Sequence, residues 1–421
     1  FGVVENTPEN REQVKTSIPG FPDPTITNPN IRFQQTKPMP NEMARTDTMP
    51  IKYHKQDDGS FRSVVDEKEG KAKSWNLARL SSRENPLVIF TLFTQAAMGA
   101  FILLFLGNVV GIESLVAVKN SVAYIPLLIL LVGLQAVGLI LSTMHLGKPM
   151  RFYRGFNNLR YSPVSREALG VALFFTGIAA FTGLEVLAFG MSYLEMSAPA
   201  ITEVIPAIQT GAAYFAIVTG LIGLYWMVRS YRIPARPFWD HAQVFTSFFG
   251  TLFSMGSVVL GLVAIPTLAF ASNTEAVAQL LQITAGLAAL GLIAEGLGLL
   301  SHAKYLNTES GEGAAAHYVQ QTTFGKTYIL RNVLMATTGL LMAIVAIALS
   351  ATTLGLIVAA IAAPAAMVSL LIGRALFYIL VIPTTMPGAF FWKNKGFEEH
   401  ARDVGLADMP QVGVVPACHH H

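Results

Sequence analysis

Between two long apolar stretches the chain runs Ser142-Thr143-Met144-His145-Leu146-Gly147-Lys148-Pro149-Met150-Arg151-Phe152-Tyr153-Arg154, and about twenty residues past the histidine comes Ser165-Arg166-Glu167. An imidazole, a carboxylate and several cations therefore share one loop and its borders. Imidazole is the side chain that exchanges protons near neutral pH. A carboxylate beside it can pass a proton on to water. His145, Arg166 and Glu167, with Lys148 and Tyr153 as further donors, supply what a quinone head group needs: hydrogen bonds to its carbonyls and a proton exchange partner. Each also has a plainer reading. His145 can cap the preceding helix through its last carbonyls. Glu167 can be a helix-start charge favoured by the macrodipole.

The elements that position these residues follow from composition. The chain has 421 residues, 52% hydrophobic and 13% charged. Soluble domains carry about 25% charged residues. Apolar runs of about 20 residues suit helices crossing a bilayer. Eight such runs are predicted, near Leu87–Gly107, Val122–Ser142, Ala168–Phe189, Ile205–Val228, Val244–Phe270, Ala276–Leu300, Tyr328–Ser350 and Leu354–Pro383. The runs are solid rather than alternating, which excludes a membrane barrel. The fold class is all-α: an integral membrane bundle of eight transmembrane helices over residues 85–392.

Cations mark the cytoplasmic side of a membrane protein. Here they gather before the first run, after the second (Lys148, Arg151, Arg154, Arg160, Arg166), after the fourth (Arg229, Arg232, Arg236), after the sixth (Lys304, Lys326, Arg331) and after the last. The opposite side carries Lys119 alone. Both termini are thus expected in the cytoplasm. Arg151, Arg154 and Arg160 read as topology determinants or as a docking surface.

Residues 1–84 are polar and rich in Pro and Asn, as in Pro22-Asp23-Pro24 and Lys37-Pro38-Met39-Pro40. Such a segment does not bury enough surface to fold alone. It is expected to lie extended on a partner, and it lacks the apolar centre of a signal peptide. The sequence begins with Phe1, consistent with processing or with a longer polypeptide. Residues 393–421 form a polar tail ending in histidines that read as an affinity tag. Cys418 is the sole cysteine, which rules out an internal disulfide and a cysteine-ligated cluster.

Charges inside hydrocarbon are costly and are usually paired. Glu295 and Arg374 fall at similar depth and are expected to form an ion pair joining the sixth and eighth spans. Glu185, near the far end of the third span, reads as a snorkelling residue or as the mouth of a proton route. Trp239 and His241, at the entry to the fifth span, could border a quinone pocket.

The pair of motifs His145-Leu146-Gly147-Lys148-Pro149 and Ser165-Arg166-Glu167, in an eight-span protein, resembles the membrane anchor subunit of dimethyl sulfoxide reductase-type molybdoenzymes. Thr27-Asn28-Pro29-Asn30-Ile31-Arg32-Phe33 is similar to the C-terminal extension of the iron–sulfur subunit in such complexes, placing Arg32 and Phe33 in a docking tail. The resemblance implies a prokaryotic inner-membrane subunit that exchanges electrons between the quinone pool (menaquinone or ubiquinone) and an iron–sulfur partner. A molybdopterin subunit would reduce sulfoxide or polysulfide, or oxidise sulfite. It implies the lipid bilayer and these two subunits as partners, no nucleic acid, and no metal or haem in this chain. In the family the histidine and glutamate of the two motifs are associated with the quinone site; they fall on His145 and Glu167. Two rival readings are a haem-binding cytochrome b-type anchor using His145, His241 and His302, and a secondary transporter, for which no internal repeat is evident.

Overall fold

The computed structural model describes residues 41–44, 50–59, 61–67, 73–81, 84–195, 199–234, 236–308 and 311–381. Arg32, Phe33 and the tail 393–421 lie outside them. Eight helices are long and apolar enough to cross a membrane. They are α1 (Asn85–Val109), α2 (Tyr124–Met144), α3 (Pro163–Tyr193), α4 (Pro199–Tyr231), α5 (Gln243–Phe270), α6 (Thr274–Thr308), α7 (Gly325–Ile344) and α8 (Thr353–Ile379). A short π-helical stretch, Val345–Leu349, continues α7. All eight predicted spans are present. Helices serve here because a bilayer offers backbone groups no water.

The helix ends are set by local chemistry. Ser162 caps α3, its hydroxyl accepting from Ser165 N at 3.3 Å, and Pro163 fits the first turn. This starts α3 five residues before the predicted Ala168, so Glu167 lies inside the helix rather than opening it. Thr352 caps α8 by accepting from Gly355 N at 3.0 Å. The motif loop between α2 and α3 contains a short 3-10 helix, Pro149–Phe156.

α1 and α5 are the most enclosed spans and form the centre of the bundle. They approach backbone to backbone. A Cβ on Gly99 would lie 3.0 Å from the Leu252 carbonyl carbon, and one on Gly256 would lie 2.6 Å from Gly99 Cα. Small residues permit such approach where lipid supplies no hydrophobic drive between helices. α3 and α4 repeat the device at Gly170 and Gly223. α2, α3 and α4 flank the centre on one side and α6, α7 and α8 on the other.

The tail departs from expectation. Glu42–Ala44, Ile51–Lys55 and Phe61–Val65 form β1, β2 and β3 of an antiparallel sheet in sequential order, with Tyr53 opposite Met43 and Ser63. Gly59, at φ 82, turns β2 into β3. Ile51 and Tyr53 are buried against Phe238, Leu306, Ala315, Ala316, Phe324, Leu376 and Leu380, at the loop end of the bundle. Ser74 N donates to Thr322 O and Lys326 N to Ser74 O, fastening the segment that leads into α1 to the start of α7. Residues 1–84 are therefore not uniformly extended. The alternation Ile51-x-Tyr53 supplies one apolar face, and the membrane domain itself covers it.

The α1–α5 approach makes a simple prediction. Gly256→Leu should lower the thermal stability of the detergent-purified protein by about 3 kcal/mol or prevent its assembly. Gly133→Ala, where a Cβ meets nothing within 4 Å, should change it little. Equal melting of both variants, followed by circular dichroism, would overturn the packing account.

Candidate functional site

Glu167 is the point where the motif loop meets the bundle interior. As the fifth residue of α3 it sits one turn in, and it is buried. Ser230, next to the end of α4, donates its hydroxyl to Glu167 Oε2 at 2.9 Å. Tyr231 follows, its hydroxyl 2.6 Å from that of Tyr378 in α8. Trp239, in the α4–α5 loop, closes over them. Its indole stacks on Phe377 at 5.2 Å, meets Tyr231 edge-on at 5.0 Å, and donates Nε1–H to Phe377 O at 2.8 Å.

One turn before Tyr378 in sequence, Arg374 enters the centre. Its Nη2 donates to Gln95 Oε1 of α1 at 3.0 Å and to Thr251 Oγ1 of α5 at 3.2 Å. Its guanidinium lies 3.7 Å from the centre of the Phe248 ring, a cation–π placement. Thr251 Oγ1 is in turn 3.2 Å from Glu295 Oε2 of α6. The expected Glu295–Arg374 pair is thus not direct: Thr251 stands between the two charges. Arg331, assigned from sequence to a loop, is buried in α7. Glu295 and Arg331 converge over Gly373, where a Cβ would lie 3.6 Å from Glu295 Oε1 and 3.9 Å from Arg331 Nη1. A row of polar groups therefore crosses the bundle sideways, from α3 and α4 to α6 and α7.

A second cluster lies at the rim. His241 stacks on His302 at 5.1 Å and on Tyr305 at 5.2 Å. Gln243 N donates to His241 Nδ1 at 3.0 Å, and Phe238 packs against His302 at 5.0 Å. Burial holds the His241 imidazole below its ordinary pKa, and Arg232 adds to this while Asp240 opposes it. The His317 imidazole, in the short helix Glu312–Gln321, is held below its ordinary pKa by burial, opposed by its hydrogen bond to Gln320 Oε1.

The motif loop itself is exposed. His145 Nδ1 lies 2.5 Å from Ser142 O, the helix-capping placement, and its ring faces outward. No hydrogen bond joins it to Glu167. Lys148, Arg151, Tyr153, Arg154 and Arg160 are exposed. Arg166 donates Nε–H to Leu159 O at 2.7 Å and lies 4.2 Å over the Trp226 ring, which folds the loop back onto α3 and α4. Glu185 accepts from the Tyr124 hydroxyl at 3.1 Å and ties α3 to the start of α2 at the opposite face. Sequence reasoning missed Ser230, Tyr231, Tyr378, Gln95 and Thr251. The available signals were Gln95 inside an apolar run and Tyr378 four residues after Arg374, on the same helix face.

Eight apolar helices around a core of acid, base and phenol side chains define a multi-pass membrane protein with a buried polar centre. The model of the family described as "DMSO reductase anchor subunit (DmsC)" matches residues 80–380, and the protein belongs to that family. The C subunit of anaerobic dimethyl sulfoxide reductase from Escherichia coli (strain K12) is 33% identical over 179 residues, 42% of this sequence and 56% of that one. The corresponding Haemophilus influenzae subunit is 28% identical over 219 residues, 51% of this sequence and 71% of that one. The match thus spans little more than half the length of the E. coli relative.

Two outcomes are expected. Arg374→Leu strands Glu295 and Gln95 in low dielectric and should cost roughly 3–5 kcal/mol. The double change with Glu295→Leu should recover part of that, whereas additive losses in a double-mutant cycle would show the charges to be independent. Separately, because the folded state holds His241 and His317 below the ordinary value, the unfolded chain binds protons more readily. Stability is then complete above about pH 6.5 and falls as the pH drops through it. The fall of the melting temperature between pH 7 and 5 should be shallower in His241→Phe; an identical fall in both proteins would remove His241 from the account.

Proposed function

We propose that this protein anchors a molybdenum-containing oxidoreductase to a bacterial inner membrane and exchanges electrons and protons between the quinone pool and an iron–sulfur partner. The observation that carries this is Glu167: a carboxylate buried at the loop end of the bundle, with one hydroxyl donor and a phenol pair beside it. Quinol oxidation releases two electrons and two protons. The electrons would pass to a cluster in the docked partner. Glu167 would take one proton from the bound head group, and His145, at the exposed rim, would exchange the other with water. Trp239, Tyr231 and Tyr378 would shield the head group and orient its carbonyls. Arg166 is a positioning residue that holds the motif loop on Trp226.

The cation-rich end supports a cytoplasmic placement of the loops and partners. Exposed Arg151, Arg154 and Arg160 offer that face to the iron–sulfur subunit, and the tail carrying Arg32 and Phe33 would extend along it. The partner's molybdopterin subunit would carry out the substrate chemistry, with sulfoxide, polysulfide or sulfite as the candidate substrates.

His145→Leu and Glu167→Gln should each lower quinone-linked turnover of the complex by about 100-fold or more. Turnover with a soluble artificial dye, which bypasses the anchor, should stay normal. Quinone-linked rates at the wild-type level in both variants would place the site elsewhere.

A further inference from the structure

A cleft of ≈ 380 Å³ runs between α6 and α7, lined among others by Gly296, Leu297, Tyr328, Asn332, Met335 and Gly339. From Tyr328 to Gly339 it follows eleven residues of helix, about 16 Å. Its deep end is apolar. Its loop end carries a phenol and an amide, and among the described residues neither Tyr328 Oη nor the Asn332 side chain has a hydrogen-bond partner. Asn332 lies seven residues into α7, about 10 Å along the axis. An amide held there without a partner is unfavourable by a few kcal/mol. An amphiphile with carbonyl acceptors at one end and an apolar tail meets both requirements. The cleft also adjoins the buried charges: Gly296 follows Glu295 and Asn332 follows Arg331 in sequence.

We propose that this cleft is a second quinone-binding site, with the head-group carbonyls on Asn332 and Tyr328 and the isoprenoid tail along Leu297, Met335 and Gly339. It is separate from the Glu167 group, which opens on α3 and α4. The buried row from Glu167 through Arg374 to Glu295 and Arg331 spans the protein between the two. The occupant is a quinone rather than a phospholipid because the free donors are an uncharged amide and phenol, suited to ketone oxygens. A phosphate would call for a cation facing the cleft; Arg331, buried and 5.1 Å over the Tyr328 ring, is not among the residues that line it. The proposal rests on the reading of this protein as quinone-reactive.

The test is photolabelling of the full-length protein in nanodiscs with an azido-quinone bearing a two-isoprene tail, followed by peptide mapping. Label is expected on residues 292–300 and 328–340, displaced by excess unlabelled quinone and not by added phospholipid. Asn332→Leu, an apolar change that favours insertion, should reduce that label about tenfold, as loss of one hydrogen bond would. Gly339→Val should also reduce it by filling the cleft, since a Cβ there has room at 3.6 Å from Leu292 Cβ. Glu167→Gln should leave it unchanged. Label confined to α2–α4, competition by phospholipid, or full labelling of both cleft variants overturns the second site alone. No specific label anywhere overturns the quinone reading as well.

Discussion

Arg374 is a guanidinium held in the middle of a helix bundle that sits in hydrocarbon, and the arrangement around it follows from that. A buried cation is tolerated only when its donors are met and its charge is balanced. Gln95 of α1 and Thr251 of α5 accept from its Nη2 and Phe248 faces it from α5, Glu295 balances it from α6, and its Nη1 has no hydrogen-bond partner among the described residues. These helices can reach one guanidinium only if they lie close, which is what the glycine approaches at Gly99–Gly256 and Gly250–Gly291 provide. The tight centre and the buried charge are thus one design. Well-packed apolar residues in place of such a cluster are often equally stable or more so. Stability alone therefore does not account for keeping it.

The same constraint explains why polar groups concentrate toward the loop end. Arg374 lies five residues from the end of α8, about 7 Å of rise. Glu167, Ser230, Tyr231 and Tyr378 occupy the first or last turns or so of their helices. There a carboxylate and phenols are near water yet sheltered from it. Trp239 adds shelter because its ring packs on Phe377 while its one donor is spent on a backbone carbonyl. The strand layer closes the neighbouring face. Ile51 and Tyr53 cover Phe238, Leu306 and Phe324, so the His241–His302 stack has an apolar floor between it and the sheet.

Hydropathy alone made the eight spans legible, since only helices satisfy the backbone across so many apolar residues. It blurred their ends, because a helix goes on through its polar terminal turns. That is why α3 begins at Pro163 and takes in Glu167. It also misplaced Arg331, six residues past the start of α7 yet counted with the loop cations. The charges Glu295 and Arg374 were visible as isolated charges in apolar runs, but the bridging hydroxyl was not: Thr251 is one of many threonines that bond their own helix. The sheet escaped notice because Pro and Asn dominate the tail's composition while two alternating residues, Ile51 and Tyr53, decide its packing. His145 was singled out by its motif, and its ring caps its own helix.

The hydroxyls of the opposite half show where chemistry can take place. Thr284 bonds Leu280 O at 2.8 Å, Thr267 bonds Val263 O at 2.9 Å and Thr338 bonds Leu334 O at 2.6 Å, each within its own helix. Such groups are satisfied locally and link nothing. At the loop end Ser230 reaches Glu167, Tyr231 reaches Tyr378 and Arg374 reaches Gln95 and Thr251, while at the opposite end Tyr124 reaches Glu185 and Gln279 accepts from Ser114 N. Only bonds between helices hold an acid and a base in fixed mutual geometry, because their partners move with different rigid bodies. The bonds that fix Glu167, the phenol pair and Arg374 relative to one another therefore lie on the side of the cation-rich loops.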